Sequence, residues 1–97
     1  AKEHQQKRDR FCRALQKAGL PPAVPQGAYY VLADVSRLPG KTSRDRALYL
    51  LEKTRVAGVP GEAFFEGPEG SRFMRFCMAK TDKDLEQASQ AIERFTA

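Results

Sequence analysis

The stretch Arg72–Ala79, RFMRFCMA, constrains this chain more than any other. Read as a strand, it sorts by twos. Met74, Phe76 and Met78 share one face, and Phe73, Arg75, Cys77 and Ala79 share the other. The first set is a plain core face. The second is apolar too, except for Arg75 at its centre. A guanidinium keeps its charge, and burying one without a partner is costly, so something must compensate. Two readings stand. Arg75 snorkels from a sheet edge or pairs with a carboxylate of the protein, or its fork binds the carboxylate or phosphate of a ligand.

The rest of the chain supplies the frame. At 97 residues and 41% hydrophobic, it has material for one modest core and one domain. Phe11, Ala14, Leu15 and Ala18 fall on one stripe and predict a helix over 2–18, stopped at Gly19, with Arg10, Arg13 and Lys17 on the opposite side. The first ten residues carry no stripe, although Glu3 and Lys7 can pair one turn apart, and no start signal precedes them. This reads as a helix cut in its middle. Met74 is the first methionine, which fits a fragment and equally a removed initiator.

Residues 28–35, including Tyr29 and Tyr30, are β-formers in an almost unbroken apolar run and predict a strand. Ser43 is the expected N-cap of a helix over 44–54 with Ala47, Leu48 and Leu51 inward. Val56–Val59 is a short strand, and residues 61–71 are read as an exposed loop with the pair Phe64-Phe65 as anchor. Thr81 and Asp84 form a capping-box start for a last helix with Leu85, Ala88, Ile92 and Phe95 inward. The order α-β-α-β-β-α predicts an α+β two-layer sandwich, a small, mostly antiparallel sheet packed against helices.

Charge and composition narrow the chemistry. The net charge is +5, and residues 1–17 contribute six basic against two acidic side chains. A basic helix suits a nucleic acid or an acidic surface, or is simply a solvated face. Arg72–Phe76 interleaves basic and aromatic residues and resembles an RNA-binding strand, but lacks that motif's glycines. No apolar run approaches the roughly 20 residues of a membrane helix, and the polar N-terminus gives no sign of a signal peptide. Cys12 and Cys77 make no metal-type spacing and suit a reducing compartment. With His4 the single histidine, a metal cluster or a histidine triad within this chain is not expected. The glycines of 58–70 lack a phosphate-loop context. Tyr29 and Tyr30 are read as sheet packing, and Cys77 as packing without a base to activate it.

Four blocks together carry a resemblance. Pro25–Asp34, PQGAYYVLAD, resembles the P-x-G-x-Y/F strand opening of class I aminotransferases. Arg55–Phe64, RVAGVPGEAF, resembles their GV-x-V-x-PG-x-x-F segment, and Phe73–Ala79 resembles their aromatic-x-Arg strand. Leu85–Phe95 resembles their closing helix. The blocks occur in order and cover nearly all of 20–97, and the run RFCMAK leans toward the kynurenine and glutamine aminotransferase-like subgroup.

The resemblance implies a pyridoxal-phosphate enzyme. Residues 1–18 would be the end of the helix joining its two domains, residues 19–97 its small C-terminal domain, and the large cofactor domain would lie outside this chain. It implies that Arg75 binds the substrate α-carboxylate, with Phe64 and Phe65 as further candidates at the substrate entrance. The Schiff-base lysine and the phosphate-binding residues of the family belong to the large domain. No catalytic, cofactor-binding or metal-binding residue is therefore assigned here, and Lys41 and Lys80 lie in no matching motif. The implied partners are amino acids and 2-oxo acids, the enzyme's own large domain and a second copy in a homodimer, in the cytoplasm, without nucleic acid or membrane. The chain alone would be inactive. The rival reading is a small basic nucleic-acid-binding α+β module that uses the first helix with Arg72 and Arg75. A third is a regulatory or interaction domain without a ligand.

Overall fold

A computed structural model describes residues 2–23, 30–78 and 80–95. Three helices and three strands follow in the expected order: α1 (Lys2–Lys17), β1 (Tyr30–Asp34), α2 (Ser43–Thr54), β2 (Val59–Pro60), β3 (Phe73–Cys77) and α3 (Asp82–Arg94). The sheet is antiparallel with order β1-β3-β2, so the latest strand in sequence lies in the middle. Residues 28 and 29 of the expected first strand, and Ala79 of the third, lie outside the described residues.

The two faces of β3 separate as the alternation predicts. Met74, Phe76 and Met78 are buried in a core with Val31 and Ala33 of β1, Phe11, Ala14 and Leu15 of α1, and Leu85 and Ile92 of α3. The rings of Phe11 and Phe76 meet edge to face, 5.4 Å apart. Phe73, Arg75 and Cys77 are half-buried on the other face. The fold is thus an α+β arrangement of helices over one face of a small antiparallel sheet, and the second face is left for a site.

Local chemistry fixes the helix ends. After α1, Gly19 takes a left-handed φ of 84°, and the Leu20 N–H closes back on the Leu15 carbonyl at 2.9 Å. The cap of α3 is Thr81, whose hydroxyl accepts the Asp84 N–H at 3.2 Å. The cap of α2 is Thr42 and not Ser43, with Thr42 Oγ1 accepting the Asp45 N–H at 3.1 Å. Ser43 is the first residue of the helix and is buried.

The inward face of α2 also differs from expectation. Ser43, Ala47, Leu50 and Thr54 are buried, whereas Leu48 and Leu51 are 57% and 38% exposed. Two polar residues can take inward positions because their hydroxyls are satisfied. Thr54 Oγ1 donates to the Leu50 carbonyl at 2.8 Å, and Ser43 is bonded to Glu62. Arg10 does not stand away from the body. Its fork reaches both oxygens of Glu93 at 3.2 and 3.3 Å and Glu86 at 3.3 Å, and Lys7 pairs with Asp82, so cations of α1 bind acids of α3. No described helix is long and apolar enough to cross a membrane.

Candidate functional site

Arg75 sits in the central strand, opposite Leu32 of β1 and Val59 of β2. It is therefore not an arginine snorkelling from a sheet edge. Among the described residues it makes no ion pair, and its Nε is buried without a hydrogen-bond partner. Two aromatic rings hold its guanidinium instead. The guanidinium carbon lies 4.6 Å from the Tyr30 ring centre and 4.8 Å from that of Phe64. The negative ring faces offset part of the cost of removing the cation from water. Among the described residues its hydrogen-bond donors stay unused.

The cation faces a cavity of about 330 Å³ lined by Tyr30, Leu32, Phe64, Phe65 and Arg75. The structure thus brings together the three residues singled out from the sequence, Arg75, Phe64 and Phe65. It adds Tyr30 and Leu32. Tyr30 is expected as sheet packing, yet it is 40% exposed on the open face. The register explains its place. Leu32 pairs with Arg75 and Tyr30 with Cys77, so Tyr30 is the diagonal neighbour of Arg75 on one face. Period-two alternation in both strands is the signal that finds it, once the pairing is known.

The segment carrying Phe64 and Phe65 is no simple exposed loop. Gly61–Ala63 and Pro68–Arg72 are two 3-10 turns packed on each other through the buried Gly61 and Gly70. A side chain on Gly61 would strike the Gly70 carbonyl and lie 2.7 Å from that of Phe73. The Gly61 carbonyl accepts the N–H groups of both Phe64 and Phe65, at 3.0 and 2.8 Å. Phe65 then packs on Phe64 and Phe73, with ring centres 5.0 and 5.7 Å away, and buttresses the Phe64 ring.

Glu62 ties this segment to α2. Its carboxylate accepts the Ser43 and Arg44 N–H groups, each at 2.9 Å. Desolvation pushes the Glu62 carboxyl up, but these bonds and the charge of Arg46 outweigh it, so it lies below its ordinary value. At the end of β1, Asp34 behaves alike. Desolvation is outweighed by bonds from the Ser36 hydroxyl and N–H and by Arg72 at 2.9 Å, so its carboxyl is also lowered. Arg72 is thereby committed to Asp34, unlike Arg75. Lys41 and Lys80 do not line the cavity. Cys12 and Cys77 are both free thiols, and no group of metal-ligating side chains occurs among the described residues.

One cation in an aromatic wall, unpaired among the described residues, suits a small carboxylate joined to an apolar group, and known proteins share the fold that carries it. Residues 1–92 match the family described as aminotransferase class I and II. Human kynurenine–oxoglutarate transaminase 3 is 32% identical over 98% of this chain and 24% of its own length. The LL-diaminopimelate aminotransferase of Nitratidesulfovibrio vulgaris is 36% identical over 94% of this chain and 22% of its own length. Among solved structures, an Escherichia coli protein with a methionine aminotransferase function superposes with a TM-score of 0.83 at 26% identity, covering 97% of this chain and 25% of that one. An aromatic aminotransferase of Pyrococcus horikoshii gives 0.78 at 35% identity, covering 96% and 24%. The chain spans about a quarter of the length of these relatives. On a match over nearly its whole length, joined to the likeness in fold, the chain belongs to the class I and II aminotransferase family.

Proposed function

We propose that this chain is the small, C-terminal domain of an aminotransferase and that Arg75 binds the α-carboxylate of its amino acid and 2-oxo acid substrates. The observation that carries the reading is the guanidinium at the centre of the middle strand, unpaired among the described residues, set against two rings and facing a cavity. A carboxylate there accepts two parallel N–H···O bonds, which supply the missing counter-charge. Fixing the carboxylate at two points also fixes the direction of the substrate's Cα, which is the positioning that transfer at that carbon requires. Tyr30, Leu32, Phe64 and Phe65 keep water from one side of the pair.

The family is generally dependent on pyridoxal phosphate. The residues of this cavity do not fit that group. They offer no amine for its aldehyde and no carboxylate for its ring nitrogen, and Arg75 is their one cation. The cofactor is assigned to a large domain outside this chain. On this reading residues 1–18 are the end of the helix joining the two domains, and residues 19–97 close over the active site. The complete enzyme works as a homodimer in the cytoplasm, and the chain alone is inactive.

The test is kinetic. In the complete enzyme, Arg75→Ala and Arg75→Lys should raise KM and lower kcat/KM for every amino donor, by about tenfold or more for the loss of a charge-assisted pair. Lysine should not rescue, because an ammonium cannot form the fork. Unchanged kinetics overturn the assignment.

A further inference from the structure

We infer that Tyr30 and Phe64 are positioning residues that preset the guanidinium of Arg75 for its ligand, an inference that rests on the carboxylate reading above. An arginine side chain carries several freely rotating bonds, and ordering it costs affinity each time a ligand binds. Among the described residues no hydrogen bond or ion pair holds Arg75 in place, so that task falls to ring contacts. The two rings stand over the guanidinium at 4.6 and 4.8 Å and come from separate elements. Tyr30 opens β1, and Phe64 follows the Gly61–Ala63 turn.

Contacts with ring faces use no oxygen acceptor, so they leave the N–H donors of the cation available to a ligand. Such a cation meets a carboxylate edge to edge, which is the geometry of a bidentate pair. Phe65 lies against Phe64 and Phe73, so it supports the clamp from behind. Tyr30 meets Arg75 through its ring face, so the ring and not the hydroxyl is what acts.

Steady-state kinetics of the complete enzyme, with one amino donor varied, test this. Tyr30→Phe should leave KM within about twofold of the parent, whereas Tyr30→Leu and Phe64→Leu should each raise it about fivefold, with kcat changed much less. The deciding arm is a double-mutant cycle. In an Arg75→Gln background, adding Tyr30→Leu should have no further effect on kcat/KM, because the ring then has no cation to hold. An equal effect of Tyr30→Leu in both backgrounds would mean a merely structural ring and overturns the inference. So does an unchanged KM in Tyr30→Leu and Phe64→Leu when Arg75→Gln raises it, an outcome that leaves the carboxylate reading intact. If Arg75→Gln itself leaves KM unchanged, the carboxylate reading fails, and this inference fails with it.

Discussion

Glu62 and Ser43 cap each other across 19 positions of sequence: the Ser43 N–H donates to Glu62 Oε2 at 2.9 Å, and the Glu62 N–H donates to Ser43 Oγ at 3.4 Å. The pattern is that of a capping box in which the acid arrives from a distant turn. It joins the start of α2 to the segment that carries Phe64, so a helix cap and one wall of the cavity share a fastening.

Loss of that fastening should be visible in stability. Glu62→Gln keeps the shape but weakens an anionic acceptor at a helix N-terminus, and a cap of this kind contributes about 1 kcal/mol. The sign with pH follows from the lowered carboxyl. Its contribution is complete above the ordinary carboxylate range and is lost as pH falls through the depressed folded value. Urea unfolding should therefore separate parent and variant at pH 7 and bring them together in strong acid. A gap that does not narrow in acid would assign the effect to packing instead of charge.

Ser89 offers the opposite sign. It lies on the inner side of α3, 1% exposed, and its hydroxyl has no hydrogen-bond partner among the described residues. A buried hydroxyl without a partner costs about 1–3 kcal/mol, and alanine is the better helix former. Ser89→Ala should raise stability by about 1 kcal/mol, or about 4 °C in Tm for a domain of this size. A lower Tm in a thermal melt would show that the hydroxyl is satisfied in solution.

Buried serines also mark the limit of what the sequence makes legible. Alternation alone sorts β3 into a core face and a face holding Arg75, because each position there is decided by the pleat. The stripe Phe11, Ala14, Leu15 and Ala18 is equally plain, and all four are buried. On α2 the same reasoning points Leu48 and Leu51 inward, and both are exposed. A hydrophobic pattern does not register a buried polar residue whose bonds are satisfied, and Ser43 and Thr54 are both of that kind. The bond between Ser43 and Glu62 is hidden because only the fold brings the two together. Tyr30 is visible as a β-former, but its place over Arg75 depends on strand register, which no single segment specifies.

The glycines of the Phe64 segment give the last prediction, as a contrast. Gly61 meets backbone wherever a side chain would go, at the carbonyls of Gly70 and Phe73, and backbone in two packed turns has little room to give. Gly61→Ala should cost about 1–3 kcal/mol, the usual cost of overpacking. At Gly67 a side chain would meet nothing within 4 Å, but the residue holds a φ of +80°. Gly67→Ala should cost backbone strain alone, about 1–3 kcal/mol, because a φ of 80° with a ψ of −171° is a region that glycine adopts almost exclusively. Far more separates them at the site. Gly61 accepts the N–H groups that set Phe64 and Phe65, so its shift moves the ring off Arg75, whereas the Gly67 carbonyl accepts the Gly70 N–H instead. In the complete enzyme Gly61→Ala should therefore raise KM as Phe64→Leu does, while Gly67→Ala should leave KM unchanged; equal KM values for the two glycine variants would break the link drawn from turn to ring to arginine.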